Sequence, residues 1–350
     1  GTLVRVNVIE AGTEADAEAL HRAILGMKSN PVFAVRKGRI VVEYPGDDTP
    51  AAAAIKASWE LGLVPKPKKV HYRVVADIAT VEKVDALVAN ELFNRFLSPA
   101  FENGDAATLE RIEKLKSGIQ FGSRIDLRMP ITEGAAAPKF SPECLQWPTP
   151  SGNGSMRYQV TSTKQKAGIP YVSVTLETAL DGSGTMKNAS PAGATLLAAT
   201  PHWPVDDREI RSLAKQITMG KRSTEEKVQA ILEWLAPNRN IKFAGKTGSR
   251  WGVEKVLEQK FGHCWDSSDL FVSLARATDI PSRQVAGWIY GGSGHVWAEY
   301  LVGDEWQQVD PTGAGKLDCG IYHVPWFTTE NGEMPILYLS MPKIEIVSSE

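Results

Sequence analysis

Cysteine is scarce in this chain, with Cys144, Cys264 and Cys319 the three present in 350 residues. That number is too small, and odd, for a disulfide framework, so any thiol chemistry rests on individual residues. An excess of charge of one sign is missing as well. The 39 Lys and Arg against 41 Asp and Glu leave a formal net charge of -2, which gives no electrostatic case for nucleic acid or an anionic membrane surface. No apolar run is long enough to span a bilayer, so membrane insertion is not expected. Internal repeats are not apparent. With 43% hydrophobic and 23% charged residues, what remains is an ordinary globular composition with room for two or three domains. The chain opens at Gly1 without a methionine, so a tag or targeting segment is expected to have been removed, and an extracytoplasmic place is favoured over a cytoplasmic one.

The informative stretch runs from Phe261 to Thr312. After Cys264 the apolar positions Leu270, Phe271, Leu274 and Ala275 recur at helical spacing, and Ile280-Pro281 stops the helix, which places Cys264 at its amino-terminal end. Free backbone N–H groups and the helix dipole stabilise a thiolate there and can bind a developing oxyanion. Gly262 permits a tight approach of loop to helix. Farther on, Val296 to Val302 and Glu305 to Asp310 read as two strands around Gly303-Asp304. A two-residue loop sets Val302 opposite Glu305, and hence Trp297 opposite Asp310. Strand alternation puts His295 on the face of Trp297, so Asp310 lies diagonally across from His295 within hydrogen-bond reach. A three-residue loop without a bulge would send Asp310 to the wrong face. A cysteine at a helix start, a histidine at a strand start and an aspartate before proline stand in the order that a thiol nucleophile, its base and its orienter need.

These residues resemble the transglutaminase-like superfamily of papain-fold cysteine enzymes. The resemblance is carried by Gly262-His263-Cys264-Trp265, Ile280-Pro281-Ser282-Arg283, His295-Val296-Trp297-Ala298-Glu299 and Asp310-Pro311-Thr312, with Thr224 to Leu235 as a lead-in helix. It covers roughly residues 201–313 and departs at Asp279, where the family usually has glycine before Ile-Pro. It implies Cys264, His295 and Asp310 as a catalytic triad. Trp251, Trp265 and Trp297 are candidates for oxyanion or shielding roles, with packing as the alternative for each.

The rest of the chain divides by texture. Residues 1–79 read as a small α+β unit, with a strand at Leu3 to Ile9, a helix at Glu14 to Met27, a strand pair through Lys37-Gly38, a helix at Pro50 to Leu61 and a last strand at Val70 to Ile78. This β-α-β-β-α-β order resembles heavy-metal-associated ferredoxin-like domains. Glu10 to Glu14 contains no Cys-x-x-Cys, so docking or packing is expected of it instead of metal transport. Residues 80–118 carry a helical pattern and read as a connector. Residues 119–199 are antiparallel β with long turns, seen in Arg124 to Met129, Met156 to Thr163 and Tyr171 to Leu176. Residues 200–350 are the expected transglutaminase-like catalytic domain. The fold class is therefore α+β, a papain/transglutaminase-like core preceded by a β-rich region and a small ferredoxin-like domain.

The expected function is cysteine-dependent acyl transfer on a peptide or isopeptide amide, resolved by water. The alternatives are a true transglutaminase joining glutamine to amines and a binding or scaffold protein that kept the fold. Gly291-Gly292-Ser293-Gly294 before His295 reads as an open rim that favours peptide entry. Cys319 and His323, with His263 or His295, are the one set that could ligate zinc, but no second Cys or His pair sits beside them. No metal and no cofactor are expected, and the partner is a peptide or protein substrate.

Overall fold

The computed structural model describes residues 7–25, 32–45, 50–63, 65–84, 119–122, 124–130, 139–141, 149–150, 155–161, 164–166, 168–182, 185–186, 194–237, 239–245, 249–292, 294–313, 319–333, 336–338 and 342–350. The amino-terminal unit contains β1 (Asn7–Glu10), α1 (Glu14–Leu25), β2 (Val32–Lys37), β3 (Ile40–Pro45) and α2 (Pro50–Glu60). Thr13 caps α1, its hydroxyl accepting the Asp16 N–H at 3.1 Å while its own N–H donates to the Asp16 carboxylate at 3.1 Å, so two otherwise unpaired donors are satisfied. The three strands form one antiparallel sheet in the order β1-β3-β2.

The strand expected to close that sheet goes elsewhere. β4 (Val70–Val84) is the centre of a seven-stranded sheet and pairs along one edge with β11 (Ile169–Leu180). β5 (Ile119–Gly122) continues that edge beyond β11, and the other edge takes β20 (Lys343–Ser349) and β19 (Ile336–Tyr338). The physical reason is apolar area. Val70, Tyr72, Val74, Ala76 and Ile78 on one face of β4 are buried in a single core with Val172, Val174 and Leu176 of β11 and with Trp288, Trp326 and Phe327. The small unit offers β4 a core whose fully buried members among the described residues are Ala17 and Val41. Burial of each large side chain is worth roughly 1.5–3 kcal/mol, so the larger surface wins. The expected helical connector begins inside this strand, since residues 80–84 are the end of β4, and residues 85–118 lie outside the described residues. β7 (Lys139–Ser141) and β10 (Lys164–Lys166) join β11, while β6 (Arg124–Pro130), β8 (Thr149–Pro150) and β9 (Ser155–Thr161) make a separate sheet.

In the last part of the chain α3 (Arg208–Ile217), α4 (Thr224–Leu235) and α5 (Val253–Gln259) surround α6 (Cys264–Arg276). Ser223 and Glu226 close a capping box at the start of α4, the pattern that begins a helix at Thr224. Leu270, Phe271 and Leu274 of α6 pack with Ile210, Ala214, Val228 and Ile231. Beside α6 lies a five-stranded sheet in the order β12-β17-β16-β15-β18, comprising β12 (Thr185–Met186), β15 (Ser282–Ile289), β16 (Gly294–Val302), β17 (Glu305–Val309) and β18 (His323–Thr329). β13 (Lys242–Phe243) and β14 (Phe261–Gly262) pair in parallel just before α6. No helix among the described residues is long and apolar enough to cross a membrane.

Candidate active site

Cys264 is the first residue of α6. Two contacts pin the helix start. The Asp266 carboxylate accepts the His263 N–H at 3.0 Å and the Trp251 N–H at 2.7 Å. Burial pushes the Asp266 carboxyl up to about 6 against these two N–H bonds. Gly262 is required by close approach, because a Cβ there would lie 2.6 Å from the Asp266 Cβ. Deeper in α6, Arg250 clasps Asp269 through two nitrogens at 2.7 and 2.6 Å, donates to the Gly332 carbonyl at 2.6 Å and covers the Trp265 ring at 4.8 Å.

The β16–β17 hairpin has the register that its two-residue turn dictates, with Val302 opposite Glu305 and Ala298 opposite Val309. Gly303 takes a φ of 63° in that turn, the left-handed conformation glycine adopts without strain. One residue farther along, Asp310 reaches diagonally to His295, and the distance from His295 Nε2 to Asp310 Oδ2 is 2.8 Å. The Cys264 side chain lies beside the same imidazole and favours its protonated form. Because Nε2 is committed to Asp310, Nδ1 is the nitrogen left for the thiol. Cysteine, histidine and aspartate, separated by 31 and 15 positions in the numbering (295 − 264 and 310 − 295), are thus brought into one contiguous chain of contacts.

Burial disfavours the charged imidazole, but the Asp310 charge and hydrogen bond, with the Cys264 contact, outweigh it and hold His295 up to about 10. Burial likewise opposes the Asp310 carboxylate, and the His295 charge with the histidine hydrogen bonds keeps it well below its ordinary value. The two therefore stand as imidazolium and carboxylate at neutral pH. His295 Nε2–H donates and Asp310 accepts.

The three tryptophans fall in different places. Trp297 is fully buried and stacks against the His295 ring with centroids 6.1 Å apart. Trp265 is buried against Ala286 and Val296, with Cys264 packed alongside. Trp251 is 48% exposed, so it is the one of the three whose side chain incoming substrate can reach from solvent. The residues weighed for zinc separate. Cys319 is buried against Trp297 and Val285, and His263 Nε2 contacts the Gly245 carbonyl at 2.8 Å. His323, by contrast, arrives at Asp310 alongside His295, with Nε2 at 3.1 Å from Oδ2. Thr312 holds the other carboxylate oxygen, donating from N at 2.9 Å and from Oγ1 at 2.6 Å.

Two of these partners were open to sequence reasoning in different degrees. An Asp-x-Thr sequence is a recognisable local hydrogen-bonding turn. His323 carries no such signal, because it reaches Asp310 from β18, on the far side of β15. A third contributor, Gly287, is also silent in the sequence. It stands opposite His295, and a Cβ on it would lie 2.1 Å from the Val324 carbonyl oxygen and 2.8 Å from the Trp297 ring.

Residues 211–311 match the family model described as the transglutaminase-like superfamily, a span that includes Cys264, His295 and Asp310. A search of curated proteins gave no match. Among solved structures, the chain is similar to a presumptive cysteine protease from Cytophaga hutchinsonii, at 15% identity and a TM-score of 0.46, covering 81% of this chain and 92% of that one. It is also similar to the periplasmic domain of TgpA from Pseudomonas aeruginosa, at 17% identity and a TM-score of 0.32, covering 72% and 89%. The likeness to red sea bream transglutaminase has 12% identity and a TM-score of 0.25, covering 91% and 55%. At these values the neighbours carry no argument about activity. Residues 211–311 are thus a transglutaminase-like domain within the chain.

Proposed function

We propose that Cys264, His295 and Asp310 act as a nucleophile, acid–base and orienting triad that hydrolyses a peptide or isopeptide amide through a thioester. The observation that supports it most is the 2.8 Å contact from His295 Nε2 to Asp310, with Cys264 beside the same ring. In this reading the proton that charges His295 is the one Cys264 has already ceded, and the sulfur attacks the amide carbonyl as a thiolate. A C–S bond forms, and the carbonyl oxygen takes the negative charge. The Cys264 backbone N–H, at the first position of α6 where no intrahelical acceptor exists, donates to that oxygen. As the C–N bond breaks, His295 delivers its proton to the leaving amine. Water then attacks the thioester, with the neutral imidazole taking its proton, and the thiol is regenerated. Asp310 keeps the ring oriented and its charge balanced throughout.

Water is favoured over an amine as the second substrate because the rim before His295 is glycine-rich. Trp251, whose backbone N–H bonds Asp266 near the α6 start, leaves its side chain 48% exposed. Incubation with a library of glutamine-containing and isopeptide-linked peptides, read by product mass, tests the reading. Cleavage or deamidation should dominate in the presence of excess lysine analogue, and the Cys264→Ala variant should fold and lose all turnover. Dominant amine adducts would instead make the protein an amine-transferring enzyme. Turnover that survives in Cys264→Ala would remove the nucleophile.

A further inference from the structure

Asp310 has more donors than the orientation of one imidazole requires. Thr312 occupies Oδ1 twice, and Oδ2 takes both His295 at 2.8 Å and His323 at 3.1 Å. The His323 ring stands edge-on to Trp297 at 5.2 Å and lies 5.9 Å from the His295 ring. Its side chain is 11% exposed, and its Nδ1 is buried with no hydrogen-bond partner among the described residues. We propose that His323 is a positioning residue of the reaction, acting as a neutral Nε2–H donor that fills the second site on Asp310 Oδ2 and so sets how firmly Asp310 holds His295. The proposal rests on the triad reading above.

The tautomer follows from what each ring nitrogen faces. A proton on Nδ1 would leave the Nε2 lone pair against a carboxylate oxygen at 3.1 Å and bury an N–H without an acceptor. A proton on Nε2 makes a charge-assisted hydrogen bond and leaves only a bare nitrogen in the apolar surroundings, which costs less. Burial is the main influence against protonation of His323, and the charges of His295 and of Lys56 on α2 add to it, while Asp310 pulls the other way. The ring therefore adds a donor without adding a charge.

Two consequences bear on catalysis. A carboxylate with all four sites filled is fixed in place and stays ionised, so the Nε2 proton remains on the ring while the Nδ1 proton, on the Cys264 side, passes to the leaving amine. Sharing Oδ2 between two donors also weakens the pull on His295, which keeps the imidazolium acidic enough to release its proton. His295, Asp310 and His323 each offer a ligand atom within 4.8 Å of the others, a grouping that could also be taken for a metal site. A cation there would have to displace both Nε2 protons and move the His323 proton onto Nδ1, where it has no acceptor. The hydrogen-bonded reading avoids all three costs.

The test combines ring-nitrogen NMR of ¹⁵N-histidine-labelled protein with turnover of a cleaved library peptide in His323→Leu and His323→Gln. Glutamine can place its amide N–H where the histidine Nε2–H stood. In the unsubstituted protein His323 should read as the neutral Nε2–H tautomer. In His323→Leu the His295 midpoint should rise by about one unit, and kcat should fall about tenfold with KM unchanged. His323→Gln should restore both. An unmoved His295 midpoint in a folded His323→Leu, a Gln variant as impaired as Leu, an Nδ1–H tautomer, or a bound metal whose chelation reproduces the Leu variant would each overturn the proposal. The NMR titration needs no turnover, so failure of the triad reading, which appears as activity in Cys264→Ala, is separable from failure of this one.

Discussion

His295 carries the charge of the site, and its ionisation gives the account its pH dependence. Its folded value of about 10 lies above its ordinary 6.5, so the stability it contributes is complete below about 6.5 and is lost as pH rises through about 10. Asp310 lies well below its ordinary 3.8, so its contribution is complete above that value and is lost in more acid solution. The unfolding midpoint of the unsubstituted protein should therefore exceed that of Asp310→Asn by most between about pH 5 and 6.5, with the gap closing toward pH 10. Thermal melts of the two proteins across pH check this, and a gap that widens toward pH 10 would contradict it. The same substitution should return the His295 titration toward its ordinary range and lower kcat by about a hundredfold or more. The His295–Asp310 contact was legible in the sequence because a two-residue turn fixes strand register, and register fixes which side chains share a face. His323 was not legible. Its strand pairs with β15 through an irregularity between Ala286 and Gly287, and no local rule sets that register.

Among the elements, two of the sequence stretches that suggested the family prove to be the two halves of one ion pair. Arg283 on β15 stands opposite Glu299 on β16, and their fully buried side chains bond across the sheet, with the guanidinium 4.0 Å over the Trp306 ring. Removing one partner leaves a buried charge. Glu299→Ala or Arg283→Ala alone should cost about 3–5 kcal/mol in chemical denaturation. Arg283→Met with Glu299→Leu together should cost much less, and additive losses in the double variant would refute the pairing. Asp279, the departure from the family's usual glycine, has a φ of 63°, the left-handed conformation that explains the usual residue. It follows α6 in the turn where the Ile280 N–H bonds the Ala275 carbonyl at 3.0 Å. Asp279→Gly should stabilise the fold by up to about 1 kcal/mol, and a loss on the same denaturation curve would count against that view. The turn forms with aspartate because this side chain tolerates the left-handed region better than most.

Across the whole molecule, the texture of the chain marked where segments change character but not which sheets they join. β4 reads locally as the last strand of a small α+β unit, yet it pairs with β11 and with the two carboxy-terminal strands β19 and β20. Alternation identifies a strand and its apolar face, while choice of partner depends on apolar surfaces distant in sequence. Trp59 of α2 enters the same core as Tyr290, Ile321 and Trp326, and the Tyr322 hydroxyl bonds Glu60 at 2.5 Å, one residue before His323. A piece beginning at residue 200 would expose much of that core. Calorimetry should show no cooperative transition for residues 200–350 alone, whereas independent folding of that piece would separate the sheets energetically. The central claim concerns the bond made at Cys264, and it is tested most directly by acid-quenching the protein during turnover of a cleaved peptide and mapping its mass. The account predicts an acyl mass on the Cys264 peptide that hydroxylamine discharges as a thioester and that is absent from Cys264→Ala. Undiminished cleavage with no acyl mass on Cys264, or with the mass on another residue, would contradict it.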